Sequence, residues 1–243
     1  MDAIVTTGLT KKYRDVVAVD GIDLCVHEGE LFSLLGVNGA GKTTTLKMLS
    51  CLTYPDGGDA RLCGHSICNE RNEVKRIIAL SPQETAVAPN LTVRENLTLM
   101  AGVHGFDKQK SQQRIEELTE LFALPSILQK RAGKLSGGWQ RRLSIAMALM
   151  SEPRILFLDE PTLGLDVLAR SELWEHIRAL KGRVTVILTT HYMEEAEALS
   201  DRVGIMASGR LLCAGTVDEI KKRAGADRLE DAFVRLVRGG DVK

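Results

Sequence analysis

The chain has 243 residues, 44% of them hydrophobic and 26% charged, a globular balance that suits one large α/β domain or a core with a sizeable insertion. Lys and Arg number 32, and so do Asp and Glu, so the formal charge is zero and no bulk attraction to nucleic acid is expected. The longest apolar runs, such as 31–37 and 146–150, fall far short of the about 18–20 residues of a membrane span, and Met1-Asp2-Ala3-Ile4 lacks the features of a secretory signal.

From the amino end, residues 3–10 and 16–26 carry β-branched side chains in short, partly alternating runs. Punctuated by Asp20-Gly21 and Glu28-Gly29, they read as antiparallel strands. Tyr13 lies in this stretch before a turn. It suits either the core or a stacking platform for a base, and spacing favours the core. Leu31-Phe32-Ser33-Leu34-Leu35 is a short apolar run of the kind a buried parallel strand shows. It leads into Gly36-Val37-Asn38-Gly39-Ala40-Gly41-Lys42-Thr43-Thr44, which fits the phosphate-loop pattern G-x-x-x-x-G-K-S/T at every fixed position. Glycines there let successive backbone N–H groups curl inward on a polyphosphate. Lys42 would reach the β- and γ-phosphates, and the Thr43 hydroxyl would hold Mg²⁺. Residues 42–50 contain no Pro or Gly, so a helix can start at the loop and turn its N-terminal dipole to the phosphates.

Tyr54-Pro55-Asp56-Gly57-Gly58 is a turn, 59–62 a strand, and Ile77-Ile78-Ala79-Leu80 a further short strand ending at Ser81-Pro82-Gln83-Glu84. The five cysteines, Cys25, Cys51, Cys63, Cys68 and Cys213, are odd in number and scattered, which reads as reduced. Cys63-Gly64-His65-Ser66-Ile67-Cys68 offers three ligands at unusual spacing and no obvious fourth. It is read as small side chains in a short sheet and its loop. From 92 to 128 the pattern becomes helical. Thr92-Val93-Arg94-Glu95 is a capping box, and 109–122 places Ile115, Leu118, Leu121 and Phe122 on one face before Pro125 closes the segment. Lys134-Leu135-Ser136-Gly137-Gly138 then precedes a helix predicted over 139–150. Ser136 suits its N-cap and the glycines expose amides, a second anion site by the same physics as the first.

Ile155-Leu156-Phe157-Leu158 reads as a buried strand ending in Asp159-Glu160-Pro161, where open α/β sheets bind ligands. Buried carboxylates need a metal, a cation or a donor. Beside a phosphate loop, Asp159 would serve Mg²⁺ and Glu160 would orient or deprotonate a water. Residues 184–188 form the next strand and end at Thr189-Thr190-His191. A lone histidine is more often structural, but one more polar cluster at a strand's carboxyl end favours a functional role. A helix over 193–199 follows, then a hairpin of 203–206 and 211–213 about Ser208-Gly209. A capping box at Thr216-Val217-Asp218-Glu219 and an amphipathic helix over 228–237 complete the pattern.

The ordered set of Tyr13, the loop 36–44, Gln83, Leu135-Ser136-Gly137-Gly138, Asp159-Glu160, Leu165-Asp166 and His191 resembles the ATP-binding subunit of an ABC transporter over essentially the whole chain. The loop alone is shared by many nucleotidases. The S-G-G signature between it and Asp159-Glu160, with His191 downstream, is far more specific. The resemblance implies an α/β fold: a phosphate-loop nucleotidase core with a mixed or parallel central sheet, an N-terminal antiparallel β subdomain and an inserted α-helical subdomain. Boundaries are expected at 1–83 with 151–220 for the core and β subdomain, 84–150 for the helical subdomain, and 221–243 for a short helical tail.

The resemblance also implies roles. Tyr13 would stack on adenine, which reverses the reading from spacing. Gln83 would contact Mg²⁺ or the attacking water and report nucleotide state to the membrane subunit. Ser136 and Gly138, within the signature of Leu135 to Gly138, would bind the γ-phosphate of ATP held by another protomer, and Asp166 would act across the dimer. Glu160 would be the general base or water-positioner, and His191 would contact the γ-phosphate. Two positions depart from the family's pattern. Trp139, with Gln140 next, stands where Gln is common; exporter branches often have a large apolar residue there, so activity is expected to be retained. Leu163-Gly164 replaces a pair of small residues, and Gly164 is expected to keep tight packing. The segments 36–45, 92–97 and 229–233 resemble exporter ATPases that handle drugs or antibiotics, sodium, and lipids or polysaccharides. The short tail after Phe233 is expected to carry no added regulatory domain.

The expected cofactors are therefore ATP and Mg²⁺. The expected partners are a separate transmembrane permease and a second copy of the chain or a homologous ATPase subunit, with no nucleic acid. The expected place is cytoplasmic, peripheral at the inner face of the cell membrane. The competing readings are a soluble ABC ATPase acting on the ribosome or DNA, and a regulatory subunit that does not hydrolyse ATP. Zero net charge and a single module weigh against the first, and Glu160 with His191 against the second.

Overall fold

In the computed structural model, which describes residues 1–240, alternation and apolar runs sort the strands into two sheets. The chain begins with β1 (Asp2–Tyr13), β2 (Val16–His27), β3 (Leu31–Leu35) and α1 (Lys42–Leu49). It continues through β4 (Gly57–Leu62), β5 (His65–Ser66), α2 (Arg71–Ile77) and β6 (Ile78–Ser81). Three helices follow, α3 (Val93–Val103), α4 (Lys108–Leu121) and α5 (Gly137–Leu149), with short 3-10 turns at Pro125–Ile127 and Ala132–Lys134. The second half alternates β7 (Ile155–Asp159), α6 (Val167–Arg178), β8 (Thr185–Thr190) and α7 (Met193–Leu199). It closes with β9 (Arg202–Ala207), β10 (Arg210–Gly215), α8 (Val217–Ala224) and α9 (Leu229–Gly240).

The first sheet is antiparallel, in the order β2-β1-β4-β5, and alternates buried with exposed positions as a sheet with one wet face must. Asp20-Gly21 does not break β2. Gly21 sits inside the strand at φ +66°, where the register with β1 shifts between Leu9 and Lys11, so the punctuation is a bulge. The second sheet has the order β10-β9-β3-β8-β7-β6. Its five strands from β9 to β6 run parallel, and β10 closes one edge as the antiparallel arm of the expected hairpin.

Side-chain period two divides the cores. Phe32 and Leu34 of β3, Phe157 of β7 and Ile187 of β8 face α1 and the antiparallel sheet, packing with Ile4, Leu9, Leu46 and Leu49. Leu156, Leu158, Val186 and Leu188 face the other way, onto α3, α4 and α5 through Leu97, Leu118 and Leu143. α1 thus lies between the two sheets, and the helical block leans on the opposite side of the central one. A third cluster ties α8 and α9 to β9 and β10 through Val203, Ile205, Ile220 and Phe233.

Some expectations shift. Ile77 ends α2 instead of starting a strand, and β6 begins at Ile78. The helix after the S-G-G segment starts at Gly137 instead of residue 139. Cys63 and Gly64 form the tight β4–β5 turn, as the bland reading of that segment expects. Among the described residues no helix is long and apolar enough to cross a membrane.

Candidate active site

Parallel register sets the site. Leu35 pairs with Thr190, and Asp159 with Thr189, so β3, β7 and β8 finish level. The residues that follow them, Gly36, Glu160 and His191, emerge together at the carboxyl edge of the sheet. A cavity of about 700 Å³ opens there. It is lined by residues 38–44, by Gln83, Glu160 and His191, and by Val16, Val17, Ala18, Leu163, Ser208 and Gly209.

The glycines of the loop are required by their neighbours. Gly41 has φ +102°, and a Cβ on it would stand 2.4 Å from the Ala18 carbonyl oxygen; one on Gly36 would stand 2.5 Å from that of Met206. Lys42 is only 4% exposed. Its Nζ donates to the carbonyls of Gly36 (2.7 Å) and Val37 (3.2 Å) and lies 3.4 Å from Glu160 Oε1. No side chain caps α1, so the amides of its first turn are available to an anion in the cavity.

Across the cavity the carboxylates divide their work. Asp159 Oδ1 accepts from Thr43 Oγ1 at 3.0 Å and from Thr189 Oγ1 at 2.6 Å. Thr189 Oγ1 in turn accepts from the Glu160 N–H at 3.0 Å, which fixes where the next residue points. Glu160 has φ +45°, a region non-glycine residues seldom enter, and it is held there by its surroundings. Its Oε2 lies 3.0 Å from His191 Nδ1, while Oε1 faces Lys42. One carboxylate therefore bridges the loop lysine and the strand-end histidine. The adjoining oxygens of Thr43 and Asp159 form a hard-oxygen pair, and the glycine cradle admits no side chain; these residues fit a triphosphate with Mg²⁺.

The other expected site residues lie outside that lining. Tyr13 is 46% exposed at the end of β1, with Lys11 Nζ 5.5 Å from its ring centre, so it is not the core residue its spacing favours. Asp166 is the N-cap of α6 and accepts from the Ala169 N–H at 2.9 Å. Ser136 and Gly137 are exposed at the start of α5. A Cβ on Gly138 would come to 3.0 Å of Ala169 Cβ, so close packing of α5 on α6 also asks for a small residue there. Gly164 has open space beyond its Cα and φ +76°; what it supplies is backbone conformation, not tight packing.

Several contributors carry no motif of their own. Gly209, readable only as a turn residue, donates its N–H to the Ala40 carbonyl at 3.1 Å and accepts from the Asp20 N–H at 2.8 Å, pinning the loop from the side. Arg141 of α5 reaches the carbonyls of Pro82 (2.6 Å) and Gln83, tying the helix that begins at Ser136 to the glutamine loop. Burial draws the pKa of Arg141 down, against the fields of Asp159 and Glu195. Among the described residues one His, Cys and acid trio lies close enough to share a metal ion, Asp2, Cys25 and His27. None of the three lines this cavity; they lie on β1 and β2, with Asp2 and His27 exposed.

Fold and site together define a phosphate-loop nucleotidase. The family model described as ABC transporter matches residues 19–163. The chain is 42% identical to the daunorubicin resistance ATP-binding protein DrrA3 of Streptomyces coeruleorubidus, over 94% of this chain and 72% of that protein. It is equally 42% identical to the Nod factor export ATP-binding protein I of Burkholderia pseudomallei (strain K96243), over 90% of this chain and 73% of that one. The solved "Structure of ATP binding subunit of ABC transporter" has a TM-score of 0.85 at 29% identity, covering 96% of this chain and 99% of that one. The chain belongs to the ABC transporter family and is an ATP-binding subunit that hydrolyses ATP.

Proposed function

We propose that this ATPase powers export through a separate membrane-spanning permease, and that it works head-to-tail with a second copy of itself or a homologous ATPase subunit. The observation that carries the pairing is a separation. The start of α5, Ser136-Gly137-Gly138, lies outside the cavity lined by its own phosphate loop, and the Ser136 hydroxyl caps no amide. A second helix start able to bind an anion, outside the cavity of the first, suits a nucleotide held by another protomer. Val167 and Leu168, 69% and 75% exposed beside Asp166, suit a face that a partner covers. Names among the relatives, daunorubicin resistance and Nod factor export, support export, and the place is then the cytoplasmic face of the cell membrane. Zero net charge gives the ribosome or DNA reading no comparable support.

In this reading Lys42 and the first turn of α1 hold and orient the phosphate tail, and Tyr13 offers its exposed ring to adenine. Thr43, Asp159 and Gln83 would hold Mg²⁺, which when bound neutralises phosphate charge. Glu160 positions a water and accepts its proton, with His191 fixing the carboxylate from its far side at 3.0 Å and reaching toward the γ-phosphate. Ser136 and Gly138 of the partner close the far side of the nucleotide, and Asp166 crosses between protomers. Trp139 at the fifth signature position packs under Arg142, whose guanidinium stands 4.5 Å over its ring, and activity is expected to be retained. Purification of the tagged chain from its native membrane tests the proposal. A multi-span protein is expected with it, and a chain recovered free of any such partner overturns the transport role.

A further inference from the structure

Glu195, on α7, is fully buried, and no step assigned above uses it. Its Oε1 accepts from Trp174 Nε1 at 3.1 Å. Its Oε2 has no hydrogen-bond partner among the described residues, and neither has the equally buried Thr162 Oγ1. Burial disfavours the charged form of this carboxyl; the nearby hydroxyls of Thr190 and Thr162 oppose that without completing a hydrogen bond to it. A residue that only filled space here would be Leu or Met, since an acid buried without a matched cation is costly.

The three neighbours are not arbitrary. Thr162 lies between Glu160 and Asp166. Thr190 immediately precedes His191, and its Oγ1 accepts from the Tyr192 N–H at 2.9 Å. Trp174 sits on α6, the helix that Asp166 caps. Arg170 of the same helix closes the outside, 5.4 Å from the Tyr192 ring centre. One buried carboxyl is thus bonded to the helix that Asp166 caps and lies beside the segments that present Glu160 and His191, without lining the cavity itself.

We infer that Glu195 is a positioning residue for hydrolysis: it locks the segments after β7 and β8 onto α6, so that His191 Nδ1 is held against Glu160 Oε2. The inference rests on the roles assigned to Glu160 and His191. Its role is to set geometry, not charge, so a side chain of the same shape that can still accept from Trp174 and meet Thr162 preserves it. Glu195→Gln does so and Glu195→Ala does not.

The test measures ATP turnover and ATP affinity on the full chain, with the folded fraction of each variant followed by circular dichroism. Glu195→Ala is expected to lower kcat about tenfold or more while the ATP dissociation constant stays within about twofold, because misplacement costs rate more than binding. Glu195→Gln is expected to retain at least about half of the wild-type kcat. Should Glu195→Ala not fold, Trp174→Phe, which removes only the Nε1 donor, is expected to lower kcat about threefold with affinity unchanged. Wild-type kcat in Glu195→Ala, or in Trp174→Phe where that variant stands in for it, overturns the inference. So does a loss that tracks the unfolded fraction, or a Glu195→Gln as impaired as the alanine variant. Glu160→Gln run alongside separates the two levels: if it turns over ATP at the wild-type rate, the underlying assignment of Glu160 fails, whatever Glu195 does.

Discussion

At the scale of residues, the site is a set of buried charges that satisfy one another. Lys42 is engaged by two carbonyls and by Glu160, so its position is fixed by the loop. Lys42→Ala is expected to abolish ATP binding, measured with a fluorescent nucleotide; unchanged affinity would contradict the site. Glu195 yields a prediction about pH. Burial raises its pKa above 4.5, opposed by the neighbouring hydroxyls, Trp174 and the Arg170 field, while Arg141 is a second cation whose field reaches it. The folded state therefore binds more protons than the unfolded state between the two pKa values. That contribution is fully present below the unfolded value and is lost as pH rises toward the folded one, with a slope of at most about 1.4 kcal/mol per pH unit. Glu195→Gln removes that slope, so its stability relative to wild type in urea unfolding should improve from mildly acidic to neutral pH. A difference that does not change with pH would show that Glu195 titrates alike in both states.

At the scale of elements, helix signals were legible where a capping box or a buried apolar face was written locally. The Thr92 and Thr216 capping boxes are both formed, and α7 spans the predicted residues. α2 and α6 escape such a reading for a physical reason. α2 buries only Val74, while α6 buries Leu173 and Ile177 but exposes Val167 and Leu168, which blurs its apolar stripe. The irregular segment 84–91 is held by Asn96, a fully buried amide on α3. It accepts from the Ala88 N–H at 2.8 Å and donates to the carbonyls of Ala88 (3.1 Å) and Thr92 (2.9 Å). Asn96→Ala leaves the Ala88 N–H unpaired, while the Ala88 and Thr92 carbonyls keep the Leu91 and Asn96 N–H groups, and is expected to cost about 1–3 kcal/mol in denaturant unfolding. A change under about 0.5 kcal/mol would mean the segment is held by other contacts.

At the scale of the whole molecule, the two anion-binding helix starts are built into one chain but open on different surroundings. α1 opens into the cavity, and the start of α5 is exposed outside its lining. Arg141 ties α5 to the backbone of Pro82 and Gln83, and Gln83 lines the cavity. In the proposed pairing, a partner engaging Ser136 would be coupled to the loop that carries Gln83 in the same chain. Glu160→Gln should trap the paired state, since the nucleotide that joins two protomers would persist. Light scattering with ATP is expected to give a dimer, and a monomer under those conditions would refute the head-to-tail arrangement.

The sequence by itself determined the parts whose chemistry is local: the glycine-lysine loop, the apolar strands that end in Asp159-Glu160 and in His191, and the helix start at Ser136. Each depends on residues adjacent in the chain, so its pattern is complete in the text. Only the tertiary structure decided which of those parts meet. Parallel register carried Glu160 to His191 and Thr43 to Asp159, the antiparallel sheet brought Ala18 and the β9–β10 turn brought Gly209 to the side of the loop, and burial placed Glu195 behind the strand ends. Contacts of that kind join residues far apart in the chain, as His191 and Glu160 are. They follow from strand order and close packing, which leave no local signature.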